Sequence, residues 1–115
     1  MLETWRRLGL NDPKSHFAED AVFVGDPKSE PVRGREAILA RLGPYTASTA
    51  SYSVEPRNLL VSGRLVFFEK IETIRRKDGQ VIVLPCVTVV ELNAAGEIAA
   101  WRDYWETSMA KVAGG

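Results

Sequence analysis

Apolar positions in the first part of the chain mostly follow helical spacing. Residues 1–20 are predicted to form two short helices separated at residues 11–13, with Asp12 as the N-cap and Pro13 as the first helical residue of the second piece. The run AVFVG, residues 21–25, is predicted to be a short strand, and a loop follows it over residues 26–31. The chain therefore begins with helices and a single strand.

A further helix is predicted over residues 34–43. Its apolar residues recur at helical spacing, and Gly43 followed by Pro44 is a typical end for a helix. The residues of the apolar face are Ala37, Ile38 and Leu42.

After this helix the pattern changes to the two-residue alternation of β-strands. Four long strands are predicted, over residues 51–61, 64–76, 81–92 and 97–106, with turns at Ser62-Gly63, residues 77–79 and residues 93–96. Pro85 indicates a bulge or a partly unpaired edge within the third of them. Helices followed by an antiparallel meander indicate an α+β fold in which a curved sheet wraps around helices.

Composition narrows the class of protein. The chain has 115 residues, 45% of them hydrophobic, which suits one domain over residues 1–115. Fifteen basic residues balance fifteen acidic ones, so neither a nucleic acid nor a membrane surface is an expected partner.

A single cysteine, Cys86, and a single histidine, His16, argue against a disulfide framework and a zinc site, and we expect no metal or other cofactor. The sequence has no signal-peptide core and no run of about twenty apolar residues, so we expect a soluble, cytoplasmic protein.

Two of the predicted strands carry charged residues between apolar ones. On the second long strand, Lys70 and Glu72 share the even-numbered face with Phe68, while the odd-numbered face is also mixed, so alternation alone leaves open which face is buried. On the last strand, Asp103 lies on one face between two tryptophans. Such residues can form ordinary ion pairs, or they can be the reactive groups of a site.

Three segments resemble a known family. They are HFAEDAVFVGDPKSEPVRGREAILARL, FFEKIET and VLPCVTVVELNAAGEIAAWRDYWE, of which the terminal WRDYWE is the most specific. Together, over about residues 16–106, they resemble the limonene-epoxide hydrolase branch of the SnoaL-like, nuclear transport factor 2-like families. The resemblance implies a cone-shaped α+β fold, with a curved, mixed and mainly antiparallel sheet around N-terminal helices, a deep apolar pocket, and a homodimer.

The resemblance also implies roles for individual residues. Asp103 matches the carboxylate that acts as base on a water molecule, Glu72 matches the acid that protonates an epoxide oxygen, and Lys70 matches the cation that bridges them. This would place the even-numbered face of the second long strand in the interior. A small apolar or aromatic ligand would then contact Phe23, Gly25, Phe68, Leu84, Cys86, Trp101 and Trp105.

The sequence departs from the family pattern at the same site. Phe23 and Gly25 stand where the family has a tyrosine and an asparagine that hold the reactive water, and neither side chain here can form those hydrogen bonds. Lys70 replaces an arginine and lacks its planar fork. Glu72 replaces an aspartate, and the N-terminal helix is short relative to the family.

Three functions remain compatible with these residues. The first is an epoxide hydrolase that uses Asp103 and Glu72, bridged by Lys70. The second is a SnoaL-like cyclase or ketosteroid-isomerase-like enzyme in which Asp103 carries a proton, which the loss of the water-holding pair favours. The third is a non-catalytic ligand-binding or dimerisation module.

Overall fold

The computed structural model describes residues 2–106, 108 and 111–114. Its elements are helix α1 (Leu2–Arg7), a short 3-10 helix (Pro13–Ser15), β1 (Phe17–Val24), β2 (Val32–Arg33), α2 (Arg35–Ser48), β3 (Thr49–Ser62), β4 (Leu65–Arg76), β5 (Gln80–Leu92), β6 (Ile98–Tyr104) and β7 (Lys111–Gly114). The four long strands of the predicted meander are therefore confirmed as β3 to β6.

The strands form one mixed sheet. Its order is β2-β1-β6-β5-β4-β3, and β7 pairs with β5. The β1–β6 pair is parallel and the other pairs are antiparallel. Gly63 and Gly79, with φ of 59° and 93°, provide the left-handed residue in the turns on either side of β4. The predicted α+β class, with a mainly antiparallel mixed sheet, is confirmed.

The register of β4, β5 and β6 decides which side chains share a face. Lys70 pairs with Cys86, and Asp103 pairs with Thr88. Because residues paired directly across strands point to the same side of a sheet, these four side chains share one face. Phe68, on the same face, is completely buried. We call this the inner face, and it is the even-numbered face of β4.

An aromatic cluster forms the centre of the core beneath the inner face. Trp5, from α1, packs against Phe68 and Trp101 with ring centroids 4.6 and 5.7 Å apart. Phe17 of β1 lies 6.5 Å from Trp101. Large aromatic side chains contribute much of the buried apolar area in a domain of this size, so α1 is fixed to the sheet mainly through Trp5.

The predicted end of the second long helix is wrong. Helix α2 does not end at Gly43 but continues through Pro44 to Ser48. Proline removes one backbone donor, yet hydroxyl groups in the last turn satisfy neighbouring carbonyl oxygens: Thr46 Oγ1 donates to the Leu42 oxygen at 3.0 Å and Thr49 Oγ1 to the Tyr45 oxygen at 2.9 Å. The helix thus continues beyond the proline, and its last carbonyl oxygens accept hydroxyl groups from the same turn.

The N-terminal prediction is confirmed only up to Ser15. Strand β1 begins at Phe17 rather than Ala21, because Phe17 is buried and pairs with Ile98 of β6. Asp12 forms no side-chain bond to the backbone at the helix start, and its carboxylate instead accepts the Ser15 hydroxyl at 3.0 Å. The short strands β2 and β7 were not predicted.

Pro85 lies at an interruption along one edge of β5. Strand β6 pairs with β5 residues 87–92, and β7 pairs with residues 80–83. The proline falls between these two paired segments, so its missing N–H disrupts neither ladder. The predicted partly unpaired edge is confirmed. In the described part of the chain, no helix is long and apolar enough to cross a membrane.

Candidate active site

Asp103 accepts all of its described hydrogen bonds on one carboxylate oxygen. Oδ1 accepts the hydroxyl of Thr88 at 2.7 Å and the indole N–H of Trp101 at 3.1 Å, and the Cys86 thiol lies 3.9 Å away. Within the described residues, Oδ2 has no donor. The carboxylate is thus held in a fixed orientation with one oxygen available to a ligand or a water molecule.

The surroundings of Asp103 make it a weaker acid than usual. Burial is the largest influence and raises the pKa of its carboxyl from 3.8 to about 6. The charge of Lys70 and the hydrogen bonds from Thr88 and Trp101 oppose this rise, whereas the charge of Glu72 adds to it. A carboxyl with a pKa near 6 can both accept and donate a proton close to neutral pH.

Lys70 is a buried ammonium group on the inner face of β4. Its side chain is 3% exposed, and its Nζ lies 3.5 Å from Glu72 Oε1. The same nitrogen lies 5.4 Å from the centre of the Trp5 ring and 5.7 Å from that of Phe68. The carboxylate and the two aromatic faces together compensate for the removal of this charge from water.

Glu72 uses one oxygen for both of its described polar contacts. Oε1 accepts the Tyr52 hydroxyl at 2.6 Å and also faces Lys70. A proton on Glu72 would therefore have to lie on Oε2. Tyr52 keeps its own proton, because burial and the charge of Glu72 both raise the pKa of its phenol. The Tyr52 phenol can therefore donate this hydrogen bond to Glu72 near neutral pH.

The structure brings most of the predicted site residues together. The carboxylates of Glu72 and Asp103 and the ammonium of Lys70 lie on the inner face, and Leu84 pairs with Glu72 across the sheet. The predicted lining residues on this face are buried, namely Phe68, Leu84, Cys86 and Trp101. The thiol of Cys86 has its pKa raised to about 12, chiefly by burial, so it stays protonated beside Asp103.

Three predicted lining residues have no described contact with Asp103. Trp105 follows the end of β6 and donates its indole N–H to the Gly25 oxygen at 2.8 Å. It borders a small groove of about 120 Å³ with residues 26–28. Phe23 pairs with Trp101 in the sheet but has its ring edge-on to Phe17 at 6.4 Å. The described hydrogen bond of the Trp105 indole is thus to the backbone of Gly25 and not to the Asp103 carboxylate.

Several contacting residues were missed in the sequence. Thr88 continues the even-numbered alternation of Leu84 and Cys86, so the pattern could have predicted it. Tyr52 and Trp5 could not be predicted, because their contacts depend on the β3–β4 register and on where α1 packs. Among the described residues, no group of three or more His, Cys, Asp or Glu side chains is arranged to hold a metal ion.

Access to the site differs at its two ends. Trp5 covers Phe68 and Lys70 at one end and is only 6% exposed. At the other end, Tyr45 and Tyr52 are 41% and 47% exposed. A larger groove, of about 320 Å³, lies on the opposite, outer face of the sheet against Ile71, Pro85 and Tyr104. The end that carries the two tyrosines is therefore the more exposed of the two.

Comparison with known structures supports the same fold. A ketosteroid isomerase from Mycobacterium sp. matches with a TM-score of 0.77 and 19% identity, over 97% of this chain and 94% of that chain. A limonene-epoxide-hydrolase-like epoxide hydrolase from M. tuberculosis matches with a TM-score of 0.71 and 17% identity, over 94% and 78%. A computationally designed binder of 17-OHP matches with a TM-score of 0.78 and 21% identity, over 95% and 92%. At these identities the likeness shows the cone-shaped fold alone.

The family is shown by the sequence itself. The model of the SnoaL-like domain family matches residues 1–101, which include every element from α1 to the middle of β6. The resemblance is thereby confirmed at the level of the family, although the match ends at Trp101 and does not include the rest of the terminal WRDYWE. This chain belongs to the SnoaL-like domain family.

Proposed function

We propose that this protein is a cofactor-independent enzyme that moves a proton on a small, mainly apolar ligand by means of Asp103. The observation that carries the proposal is the Asp103 carboxyl, which is oriented through Oδ1 by Thr88 and Trp101 and has a pKa raised to about 6. Burying a carboxylate is costly, and perturbed carboxyl groups of this kind are frequent at catalytic sites. The isomerase among the similar structures supports this class of reaction.

The proposed step is proton transfer next to a carbonyl group. Asp103 Oδ2 takes a proton from the carbon beside the carbonyl, and the electron pair of the C–H bond moves to give an enolate. The protonated Asp103 then returns the proton to another carbon of the same conjugated system. The Lys70 ammonium offsets the negative charge while Asp103 is ionised, and the buried aromatic cluster keeps water away from the reaction.

Opening of an epoxide is the second candidate. The ion pair of Lys70 and Glu72 beside Asp103 supports it, since that reaction needs a base for water and an acid for the leaving oxygen. Two features weigh against it. Glu72 Oε1 is already occupied by Tyr52 and Lys70, and Phe23 and Gly25 offer no side-chain hydrogen bond to a water molecule.

The experiment that tests the proposal measures both reactions. Hydrogen–deuterium exchange beside the carbonyl of cyclic enones and ketosteroids is followed by NMR, and diol formation is followed with small epoxides. We expect exchange with the wild type, none with Asp103→Asn, and full exchange with Asp20→Asn, which makes the same chemical change at an exposed position. Exchange that survives in Asp103→Asn would overturn the proposal.

A double variant tests the epoxide reaction separately. Phe23→Tyr with Gly25→Asn restores the two water-holding side chains. At Gly25 an added Cβ would lie 3.2 Å from the Phe23 ring, so a small shift of that ring is needed. If the acid pair is arranged for epoxide opening, single-turnover diol formation should rise by a factor of about a hundred, because positioning of the water is restored. No gain in a folded double variant would contradict epoxide opening.

We also propose that the protein is a homodimer of the cytoplasm that binds neither nucleic acid nor membranes. The balanced charge supports the absence of polyanionic partners. The outer face of the sheet supports self-association, because exposed apolar side chains such as Leu60, Leu65 and Phe67 are gathered there. The cytoplasmic location stays a prediction from composition.

A further inference from the structure

Arg76 is a partly buried cation that has no ion-pair partner among the described residues. It is the last residue of β4, on the inner face, and its Nε is buried without a hydrogen-bond partner in the described part of the chain. Its Nη1 reaches the Ser48 hydroxyl only at 3.5 Å. A buried donor without a hydrogen-bond partner lowers the stability of the fold. The anionic group of a bound ligand could supply the missing acceptor.

The last turns of α2 place two hydroxyl groups near this guanidinium. The Ser48 hydroxyl contacts it at 3.5 Å, and Tyr45 lies one helical turn before Thr49 in the same end of α2, where the charge of Arg76 lowers the pKa of its phenol. Burial and the charge of Glu72 outweigh this influence and raise the pKa of Tyr45 to about 12. The Tyr45 phenol therefore remains a hydrogen-bond donor near neutral pH.

We propose that Arg76, with Tyr45 and Ser48, forms a subsite for the carboxylate of a ligand whose reacting end lies at Asp103. The inference rests on the proposed function, and it adds the class of substrate: an elongated, apolar carboxylic acid. A planar guanidinium can donate two parallel hydrogen bonds to a carboxylate, which a single hydroxyl or ammonium cannot do.

The strand geometry gives a lower limit to the length of such a ligand. Arg76 follows Glu72 by four residues on the same face, which is about 13 Å along a strand, and Asp103 lies beyond Glu72, level with Phe68. Ile74 and the ring of Tyr52 lie between Arg76 and Glu72 and would contact an apolar body. The opposite orientation is disfavoured, since the ligand carboxylate would then meet the carboxylates of Glu72 and Asp103.

A binding experiment with a matched pair of ligands tests the subsite. A biphenyl carboxylate and its methyl ester are titrated by calorimetry into the wild-type protein and into Arg76→Gln. We expect the wild type to bind the acid at least about tenfold more tightly than the ester, as a charge-assisted pair should, and Arg76→Gln to bind the two equally. Equal binding of acid and ester by the wild type would overturn the proposal.

Three control variants separate this subsite from other causes. Arg75→Gln removes the neighbouring exposed arginine on the outer face and should leave the preference unchanged; loss of preference there too would point to net charge and overturn the subsite. Arg76→Lys keeps the charge but not the fork, and should retain a reduced preference even if Arg76→Gln fails to fold. Asp103→Asn should keep the full preference, so a failure of the proposed chemistry would be distinguishable from a failure of this subsite.

Discussion

At the scale of single residues, Asp103 links stability to pH. Its pKa is about 6 in the folded protein and 3.8 in the reference state, so between these values the folded protein retains a proton that the unfolded chain has lost. The free energy of unfolding therefore falls as the pH rises from about 4 to about 6. Above pH 6 Asp103 is ionised in both states, and the destabilisation by its charge has reached its full value. We expect Asp103→Asn to be more stable than the wild type above pH 6, by on the order of 1–2 kcal/mol, and to lose this advantage below pH 4.

Denaturant unfolding at a series of pH values measures this difference. Asp20→Asn provides the control at an exposed position and should follow the wild type throughout. A large, pH-independent loss of stability in Asp103→Asn would mean that the carboxylate is a structural partner of Thr88 and Trp101.

Lys70 gives a second prediction at this scale. Its charge lowers the pKa of Asp103, so in Lys70→Met we expect the pKa of Asp103 to rise above 6, as followed by NMR titration of the carboxyl carbon. Glu72 would also lose its buried counter-charge, at a cost to the free energy of unfolding of about 3 kcal/mol. Lys77→Met, at an exposed turn, should change neither quantity. An unmoved Asp103 titration would show that the two groups do not interact.

The residues of the site were partly predictable, because alternation along a single strand shows which of its side chains share a face. Two-residue alternation along WRDYWE places Trp101 and Asp103 on one face, and the structure has them hydrogen bonded to each other. The same rule places Trp105 with them, but β6 ends at Tyr104 and the alternation stops there. A side-chain pattern carries no information about where a strand loses its partner.

At the scale of elements, helix α1 fills one end of the inner face chiefly through its buried residue, Trp5. Trp5→Ala would remove its packing against Phe68 and Trp101 and its contact with Lys70, and we expect a loss of about 3 kcal/mol in the free energy of unfolding. The resulting cavity would suit free indole. We therefore expect indole to raise the melting temperature of Trp5→Ala and to leave that of the wild type unchanged.

Trp105→Ala is the matched control for this experiment. It removes the same side chain from the groove beside residues 26–28, which is open to solvent. Indole should not stabilise this variant. If Trp5→Ala is as stable as the wild type, α1 does not close the site.

The two misplaced boundaries have a common origin. Gly43-Pro44 is a strong local stop signal, yet hydroxyl groups of Thr46 and Thr49 complete the last turns of α2 beyond it. Phe17 follows a helical segment, but pairing with Ile98, far along the chain, places it in a strand. In both cases, specific contacts overrode the local preferences of the residues and set the boundary of the element.

At the scale of the whole molecule, the exposed apolar side chains of the outer face predict self-association. Phe67 is 41% exposed and pairs with Leu60, which is 69% exposed. We expect light scattering to give the mass of two chains for the wild type and of one chain for Phe67→Glu, because a charge at the centre of this face must be desolvated in a dimer. Leu39→Glu changes an exposed leucine of α2 and should remain dimeric. A monomeric wild type at high protein concentration would contradict the prediction.

The side-chain contacts around Glu72 and Arg76 could not be predicted from the sequence, because they depend on how separate segments are aligned. The β3–β4 register contains two shifts, near Ser51 and Arg57, and it decides that Tyr52 reaches Glu72. Arg76 gains its surroundings from α2, which lies elsewhere in the chain. The fold class follows from patterns within segments, whereas these contacts follow from how segments are aligned with one another.

Strand β4 carries different surfaces on its two sides, and this limits how its length can change. Lys70 and Glu72 face the core, whereas Phe67 and Glu69 face outward, so removal of a single residue near its start would exchange the two sets. Substitutions at individual positions would disturb one surface only. A deletion or insertion of one residue would instead bury Glu69, expose Lys70 and remove both surfaces together, so we expect variation in length to be confined to the turns that flank this strand.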